Sequence, residues 1–171
     1  MKRHASVAAI GSSAIVVIAL TAAWRHAPLL VWNASASVPV GLYAVHDAAP
    51  LAVGKLVVVV PPKPVAVMLA DGGYLPRGVP LIKHVAALPG STVCRNGLTV
   101  SIDGVFRAEA RARDHAGRNL PTWSGCRSVA SGEVFLLNAT EPASLDGRYF
   151  GPLPSNGIVG EAVPVWTERL P

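Results

Sequence analysis

The alternation of apolar and polar residues along this chain predicts a mainly β protein. Short apolar runs, rich in β-branched residues, are separated by turn signals made of Gly, Pro and Asp. The predicted strands are 40–45 (VGLYAV), 55–60 (KLVVVV), 80–87 (PLIKHVAA), 133–138 (EVFLLN) and 156–166 (NGIVGEAVPVW). The run VVVV is too apolar for an exposed face, which indicates a core strand. One short helix is predicted over 65–72, where AVMLAD is closed by Gly-Gly.

Between the third and fourth of these strands the pattern changes. Over residues 92–131 the strand-like pieces are shorter (TVC, LTVSIDG and VFRA), and polar turns separate them. This stretch predicts an insertion or a smaller lobe. The segment 107–118, RAEARARDHAGR, is interpreted as a solvated or partly mobile loop, because acidic residues interrupt its arginines.

The N-terminal segment is apolar in a different way. Residues 5–24 contain no charge, and twenty residues at about 1.5 Å each span roughly 30 Å, the thickness of a bilayer core. Lys2 and Arg3 precede it, which favours a cytoplasmic N-terminus at 1–4. The pattern predicts a retained single-pass anchor in the inner membrane, a juxtamembrane link at 25–36 and a periplasmic domain at 37–171. A cleaved signal peptide is the alternative, since residues 21–23 are small.

Composition narrows the classes of partner. Among 171 residues, 51% are hydrophobic and only 6% aromatic, while Gly and Pro are abundant, which suits strands and turns better than a helix bundle. The net charge of +5 comes mainly from arginines scattered along the chain rather than grouped on one face, so no nucleic-acid partner is predicted. No spacing of His, Cys and Asp suits a metal, and no cofactor is expected.

The chain has two cysteines, Cys94 and Cys126. An exported domain would meet an oxidising compartment, where a disulfide between them is plausible. Two independent buried thiols are the alternative interpretation.

The segment 33–43, NASASVPVGLY, raises the question of a serine nucleophile. A serine hydroxyl needs a base to take its proton. His46, His84 and His115 lie in the predicted domain, but no Gly-x-Ser-x-Gly elbow accompanies any serine, so a Ser-His-Asp site is neither marked nor excluded.

A lysine base is the other option, and Lys83 is the best placed of four lysines. It lies within PLIKHVAALPG, flanked by apolar residues. Burial would disfavour its charged form and lower its pKa, as a lysine base requires. The alternative is an amphipathic strand whose lysine extends its ammonium to solvent.

Three stretches in order carry a resemblance to a known family. They are SVPVGLY at 37–43, IKHVAALPG at 82–90 and SLDGRYFGPLP at 144–154. Together they resemble the membrane-bound type I signal peptidases, which are serine/lysine peptidases. The form of the first stretch and the short chain are most similar to the TraF-type branch, the conjugative transfer peptidases that mature pilin precursors. The implied fold is an N-terminal transmembrane helix followed by a signal-peptidase-like antiparallel β domain with a smaller inserted lobe.

The resemblance also implies roles for individual residues. They are Ser37 as nucleophile, Lys83 as general base, Ser35 as oxyanion donor with the Ser37 backbone N–H, Ser144 as the residue that orients the lysine, and Asp146 with Arg148 as a supporting ion pair. The usual Asp-Ser-Arg of the third stretch is Asp-Gly-Arg here, so Gly147 supplies no side chain.

The predicted function is that of a membrane-anchored serine endopeptidase. It would remove leader segments from exported proteins, such as pilin precursors of a conjugative or type IV secretion system, after small residues and beside membrane lipid. The acyl group would pass to water or, in a TraF-like reaction, to the pilin's own amine. Two alternatives remain: a non-catalytic, membrane-tethered β scaffold of a secretion channel, and a self-cleaving Ser-Lys regulator, which would carry a DNA-binding region in place of the anchor.

Overall fold

A computed structural model describes residues 30–168 together with Ile15. The predicted anchor at 5–24 and the alternative signal-peptide cleavage site therefore lie, apart from Ile15, outside the described residues. Among those residues no helix has both the length and the apolar character that crossing a bilayer requires.

Seven strands form the larger sheet, and all its pairings are antiparallel. In chain order they are β1 (Leu30–Asn33), β2 (Gly41–His46), β3 (Leu56–Val59), β4 (Leu81–Ala87), β9 (Glu133–Leu136), β10 (Leu153–Pro154) and β11 (Ile158–Thr167). Their order across the sheet is β1-β2-β11-β3-β4-β9-β10. The mainly β architecture predicted from the sequence is confirmed. The run VVVV supplies β3, whose valines at 57–59 are fully buried in the middle of the sheet.

Four shorter strands form a second antiparallel sheet within residues 92–128. They are β5 (Thr92–Asn96), β6 (Thr99–Ile102), β7 (Val105–Glu109) and β8 (Gly125–Ser128), in the order β7-β6-β5-β8. Cys94 and Cys126 lie directly opposite each other on β5 and β8, and a disulfide joins them. Buried side chains of this sheet, Val93 and Val100 among them, pack against Ala87 and Phe135 of the larger sheet.

Helices are few and short. Helix α1 spans Lys63–Asp71, a one-turn helix α2 spans Gly147–Phe150, and a 3₁₀ turn spans Ser155–Gly157. Helix α1 begins two residues before the predicted start, because Pro64 lies in its first turn, where the missing N–H costs nothing. Helix α2 falls within the third motif stretch, 144–154, where no helix was predicted; the Asp146 carboxylate caps it by accepting from the backbone N–H of Arg148.

In two places the structure differs from what the sequence predicted. The predicted juxtamembrane link at 25–36 contains strand β1, which pairs with β2 from Leu30 opposite Ala44 to Asn33 opposite Gly41. Its Leu-Val-Trp run favours an extended edge strand over an irregular link. Strand β8 was not predicted, because all its residues are exposed and it has no apolar alternation; its pairing with β5 defines it.

Candidate active site

The loop that follows β1 is organised by one asparagine. The Asn33 side-chain nitrogen donates to the backbone carbonyls of Ser35 (2.8 Å), Val38 (3.0 Å) and Pro39 (3.1 Å). Its side-chain oxygen accepts from the Ser35 backbone N–H (3.2 Å) and from the Ser35 hydroxyl (2.9 Å). The backbone N–H can only donate and the carbonyls can only accept, so the orientation of the Asn33 amide is fixed. This buried side chain therefore shapes the loop that carries both predicted serines.

The two serine hydroxyls contact each other. Ser35 Oγ and Ser37 Oγ are 3.0 Å apart. Because Ser35 gives its only hydroxyl proton to Asn33, it accepts from the Ser37 hydroxyl. Among the described residues no hydrogen bond joins Ser37 Oγ to Lys83 Nζ, although both side chains line the same cavity. In this state the Ser37 proton points along the loop rather than toward the lysine.

Gly41 fixes the other end of this loop for a reason that sequence reasoning missed. A Cβ at Gly41 would lie 2.2 Å from the Trp166 carbonyl oxygen of β11, closer than any side chain tolerates. The φ of +153° also favours glycine. Gly41 thus allows a close approach between β2 and β11.

Lys83 lies in the middle of β4, between β3 and β9, and is only 3% exposed. Its ammonium donates to the Ser144 hydroxyl at 2.8 Å. Burial lowers the pKa of Lys83 from 10.5 to about 8; Arg148 adds to the lowering, whereas Asp146 and Glu141 oppose it. The direction agrees with the expectation from its apolar sequence neighbours. The two acids come from elsewhere in the chain, so the neighbours alone did not reveal them.

Asp146 and Arg148 form a buried ion pair behind Ser144. Arg148 donates through Nε to Asp146 Oδ1 (2.9 Å) and through Nη2 to Oδ2 (2.8 Å), a bidentate geometry with both side chains almost fully buried. Nη2 also donates to the backbone carbonyls of Glu141 (2.7 Å) and Asn138 (3.1 Å). The pair therefore holds the 138–146 loop in place.

The glycine between these two residues has a steric reason. A Cβ at Gly147 would lie 2.6 Å from the Phe135 ring and 2.7 Å from the Leu136 carbonyl oxygen. The departure from Asp-Ser-Arg to Asp-Gly-Arg thus accommodates the close packing of α2 on β9.

Asn138 is a second buried asparagine that sequence reasoning did not identify. Its side-chain nitrogen donates to the Ser37 carbonyl at 2.7 Å, and its side-chain oxygen accepts from the His84 backbone N–H at 3.0 Å. The only signal in the sequence is a polar residue that ends the apolar run EVFLL, which is too common to single out a site.

A cavity of about 300 Å³ opens beside these groups. Five leucines and a group of polar and charged side chains line it. The lining comprises Ser35, Ala36, Ser37, Leu69, Tyr74, Leu75, Leu81, Lys83, Arg111, Asp114, His115, Leu120, Glu141, Ala143, Ser144, Leu145 and Tyr149. Four of the six predicted site residues therefore share one cavity, and the Asp146–Arg148 pair lies behind Ser144. Cys94 and Cys126 do not line it.

Part of the cavity wall comes from the segment interpreted as a solvated loop. The Tyr74 hydroxyl donates to Asp114 Oδ2 at 2.7 Å, and Arg118 pairs with the same carboxylate at 2.7 Å and donates to the Gly72 carbonyl at 2.6 Å. The Tyr74 hydrogen bond, helped by Arg118, holds the pKa of the Asp114 carboxyl well below its usual range. Seven of the eight residues at 111–118 are exposed, as the interpretation of a solvated loop expects, while Asp114 and Arg118 fasten the segment to the end of α1.

No histidine among residues 30–168 hydrogen-bonds to Ser35 or Ser37. His84 is exposed and contacts the Asn138 oxygen through Nδ1 at 3.0 Å, and His115 is among the residues that line the cavity. Over the same range no three His, Cys, Asp or Glu side chains are arranged to hold a metal ion. The geometry around the serines therefore favours lysine over histidine as the neighbouring base.

Comparison with known proteins gives the family. A family model described as signal peptidase, peptidase S26, matches residues 2–167. A protein named "Probable conjugal transfer protein TraF" from Sinorhizobium fredii is 38% identical over 125 residues, which cover 68% of this chain and 65% of that protein. "Probable signal peptidase I-1" from Synechocystis sp. is 34% identical over 111 residues, covering 65% of this chain and 52% of that protein. The matches thus span about half to two thirds of these relatives' length.

A solved signal peptidase I from Enterococcus faecalis V583 aligns at 21% identity with a TM-score of 0.41, covering 68% of this chain and 98% of that one. A score this low adds nothing to the sequence matches, and the family model alone covers nearly the whole chain. The predicted family is confirmed: this chain belongs to the signal peptidase family, peptidase S26.

Proposed function

We propose that this protein is a membrane-anchored serine endopeptidase that removes leader segments from exported proteins, with Ser37 as nucleophile and Lys83 as general base. The observation that carries the proposal is a buried lysine whose pKa is about 8, in one cavity with two serine hydroxyls. An ordinary lysine is almost wholly protonated at neutral pH, whereas one with a pKa of about 8 is neutral in about a tenth of molecules at pH 7. Lowering the pKa this far raises the neutral, basic fraction roughly 300-fold.

The reaction follows the general logic of a Ser-Lys pair. Rotation of the Ser37 hydroxyl away from Ser35 brings its proton to neutral Lys83 as Oγ attacks the scissile carbonyl. The Ser35 hydroxyl turns from Asn33 toward the developing oxyanion, beside the Ser37 backbone N–H. The Lys83 ammonium then protonates the departing amine, which leaves an ester between the leader and Ser37. Lys83, neutral again, takes a proton from water, and hydrolysis of the ester restores the free hydroxyl.

Ser144 and the ion pair act on the lysine rather than on substrate. The Ser144 hydroxyl accepts a hydrogen bond from the Lys83 ammonium, which fixes the orientation of Nζ in the cavity. Asp146 and Arg148 hold the loop that carries Ser144. Asp146 raises the pKa of Lys83 and Arg148 lowers it, so the two charges act on the base in opposite directions while the pair keeps the loop rigid.

The proposed substrates are pilin precursors of a conjugative transfer system. The support is the name of the Sinorhizobium relative, a conjugal transfer protein, together with the three ordered motif stretches. Small residues are expected before the cut, as in secretory leaders. When the cut removes the leader, the leader is the acyl group on Ser37 and water releases it. A cut near the pilin's C-terminus would instead leave the pilin itself as the acyl group, and attack on that ester by the pilin's own N-terminal amine in place of water would give a cyclic product.

The proposed site of action is the periplasmic surface of the inner membrane. Trp32 and Trp166 expose stacked rings 5.9 Å apart at the β1 edge, with Leu30 and Val165 exposed beside them. Tryptophan favours the membrane interface, where its ring meets lipid and its N–H meets water. Strand β1 begins six residues after the apolar segment 5–24, so this edge would stand close to the bilayer.

The test is to express candidate pilin precursors with the wild-type protein, with Ser37→Ala and with Lys83→Met, and to follow the precursor mass. Wild type should shorten the precursor, and both variants should leave it intact. A cyclic product would be lighter than the linear one by one water. If Ser37→Ala processed the precursor at the wild-type rate, the chain would not be the peptidase, and the membrane-tethered scaffold would be the better reading.

A further inference from the structure

Every polar atom of Asn138 has a partner, and together these partners connect three parts of the site. The backbone N–H donates to Asp146 Oδ2 at 3.0 Å, and the backbone carbonyl accepts from Arg148 at 3.1 Å. The side-chain oxygen accepts from the His84 N–H, and the side-chain nitrogen donates to the carbonyls of Ser37 (2.7 Å) and Ile82 (3.3 Å). The residue is 2% exposed, so water does not substitute for these bonds.

The side-chain amide acts as an extra peptide group of the sheet. Strand β9 pairs with β4 up to Leu136, and the Leu137 N–H still donates to the His84 carbonyl at 2.9 Å. The next bonds on β4, from the His84 N–H and to the Ile82 carbonyl, go to the Asn138 side chain instead. These two backbone groups flank Lys83, so the Asn138 amide binds β4 on both sides of the proposed base.

The same amide nitrogen holds the nucleophile loop. Asn33 binds the carbonyls of residues 35, 38 and 39 and leaves that of Ser37 free for Asn138. The Ser37 carbonyl is thus the point at which the loop joins β4 through one side chain. We propose that Asn138 is a positioning residue that sets the placement of Ser37 relative to Lys83.

This inference rests on the proposed function and adds a residue to it that touches neither substrate nor the reacting atoms. Removing the amide takes away the hydrogen bond to the Ser37 carbonyl, while Asn33, the Tyr43 hydroxyl on the Pro39 carbonyl (2.6 Å) and the buried Val38 still hold the rest of the loop. A misplacement of about 1 Å between reacting groups costs on the order of 100-fold in rate. The loss should fall on the acylation step, because substrate contacts in the cavity stay in place.

The experiment uses the full chain in detergent and an alanyl peptide p-nitrophenyl ester as probe. The burst of nitrophenol gives two numbers: its amplitude counts folded active sites, and its rate constant reports acylation at those sites. Asn138→Ala should keep most of the amplitude and lower the rate constant on the order of 100-fold, with KM changed much less. Asn138→Asp keeps the shape and the hydrogen-bond acceptor but loses the donor, so its rate constant should fall similarly. It serves as the test if Asn138→Ala fails to fold. Asn156→Ala, at an exposed asparagine in the 3₁₀ turn, is the matched control and should behave as wild type.

The outcomes separate positioning from mere stability. A smaller amplitude with an unchanged rate constant would mean that Asn138 only stabilises the fold, and the inference would be wrong. An Asn138→Asp rate equal to wild type would overturn it as well. If wild type gave no burst beyond that of Ser37→Ala, the proposed function itself would fail, and the inference with it. A wild-type burst matched by both Asn138 variants would remove the inference alone.

Discussion

Lys83→Met should make the protein more stable at neutral pH while abolishing its activity. The folded pKa of Lys83 is about 8 and the unfolded value about 10.5. Each pKa unit corresponds to about 1.4 kcal/mol, so the charged lysine destabilises the fold by about 3 kcal/mol below pH 8. Methionine fills the same buried stem without the charge, but it leaves the Ser144 hydroxyl without its partner at a cost of about 1 kcal/mol. The net expectation at neutral pH is a gain of about 2 kcal/mol.

The pH dependence gives this prediction its sign. Between the folded and the unfolded pKa the unfolded chain binds more protons than the folded one, so wild-type stability rises with pH across the window from about 8 to about 10.5. The advantage of Lys83→Met should therefore shrink as pH rises through that window and reverse near its upper end. Below pH 8 the difference between the two proteins should be constant.

The assay is urea unfolding of both full-length proteins in detergent at several pH values from about 6 to about 10. Taking the difference between the two proteins at each pH cancels the titration of all other groups. Lys55→Met is the matched control: Lys55 is partly exposed and pairs with Glu161 at 2.7 Å, so its effect should stay below about 1 kcal/mol at every pH. A difference between wild type and Lys83→Met that did not vary with pH would refute the argument from burial.

Four further predictions follow from the same site and its supports. In the peptide assay, wild-type activity should rise with pH and reach half its maximum near pH 8, as the proton leaves Lys83. Lys83→Arg should be inactive because guanidinium does not deprotonate, and His84→Ala should keep most of the activity. An active Lys83→Arg with an inactive His84→Ala would make histidine the base. Gly147→Ser should lower the free energy of unfolding by about 1–3 kcal/mol, as overpacking against β9 does, and an unchanged urea midpoint would contradict the clash. Cys94→Ser combined with Cys126→Ser should lower the free energy of unfolding by roughly 3–4 kcal/mol, since the disulfide closes a loop of 32 residues, with little loss of rate per folded site. Two free thiols found by mass spectrometry in exported wild type would contradict this prediction. Moving a precursor's cleavage site far from its hydrophobic segment should slow processing, and an unchanged rate would argue against a site held near the bilayer.

The sequence predicted the parts of this protein that repeat a local pattern. Strands β3 and β4 follow from uninterrupted apolar runs, and the lowered pKa of Lys83 follows from its apolar neighbours. The serine and lysine positions came from the resemblance of three ordered stretches, because no spacing within the chain reveals that residues 37 and 83 share a cavity.

The contacts that sequence reasoning missed are those between distant side chains. Asn138 meets Ser37 across 101 positions, and Tyr74 meets Asp114 across 40. Neither pair belongs to a periodic sequence pattern, and in the sequence each member is an ordinary polar residue near a turn. Strand β1 was missed for a related reason: its residues follow an apolar segment, and only the pairing with β2 distinguishes an edge strand from a link.

The position of Lys83 in the middle of the sheet links core mutations to the proposed catalysis. Lys83 pairs with Val57 in register, and side chains alternate between the two faces of a strand. A slip of one residue between β3 and β4 would turn the ammonium to the opposite face, away from Ser144. Substitutions of the buried valines at 57–59 should therefore reduce activity through strand register before they unfold the protein, so a genetic screen for inactive enzyme would recover core positions alongside the serines.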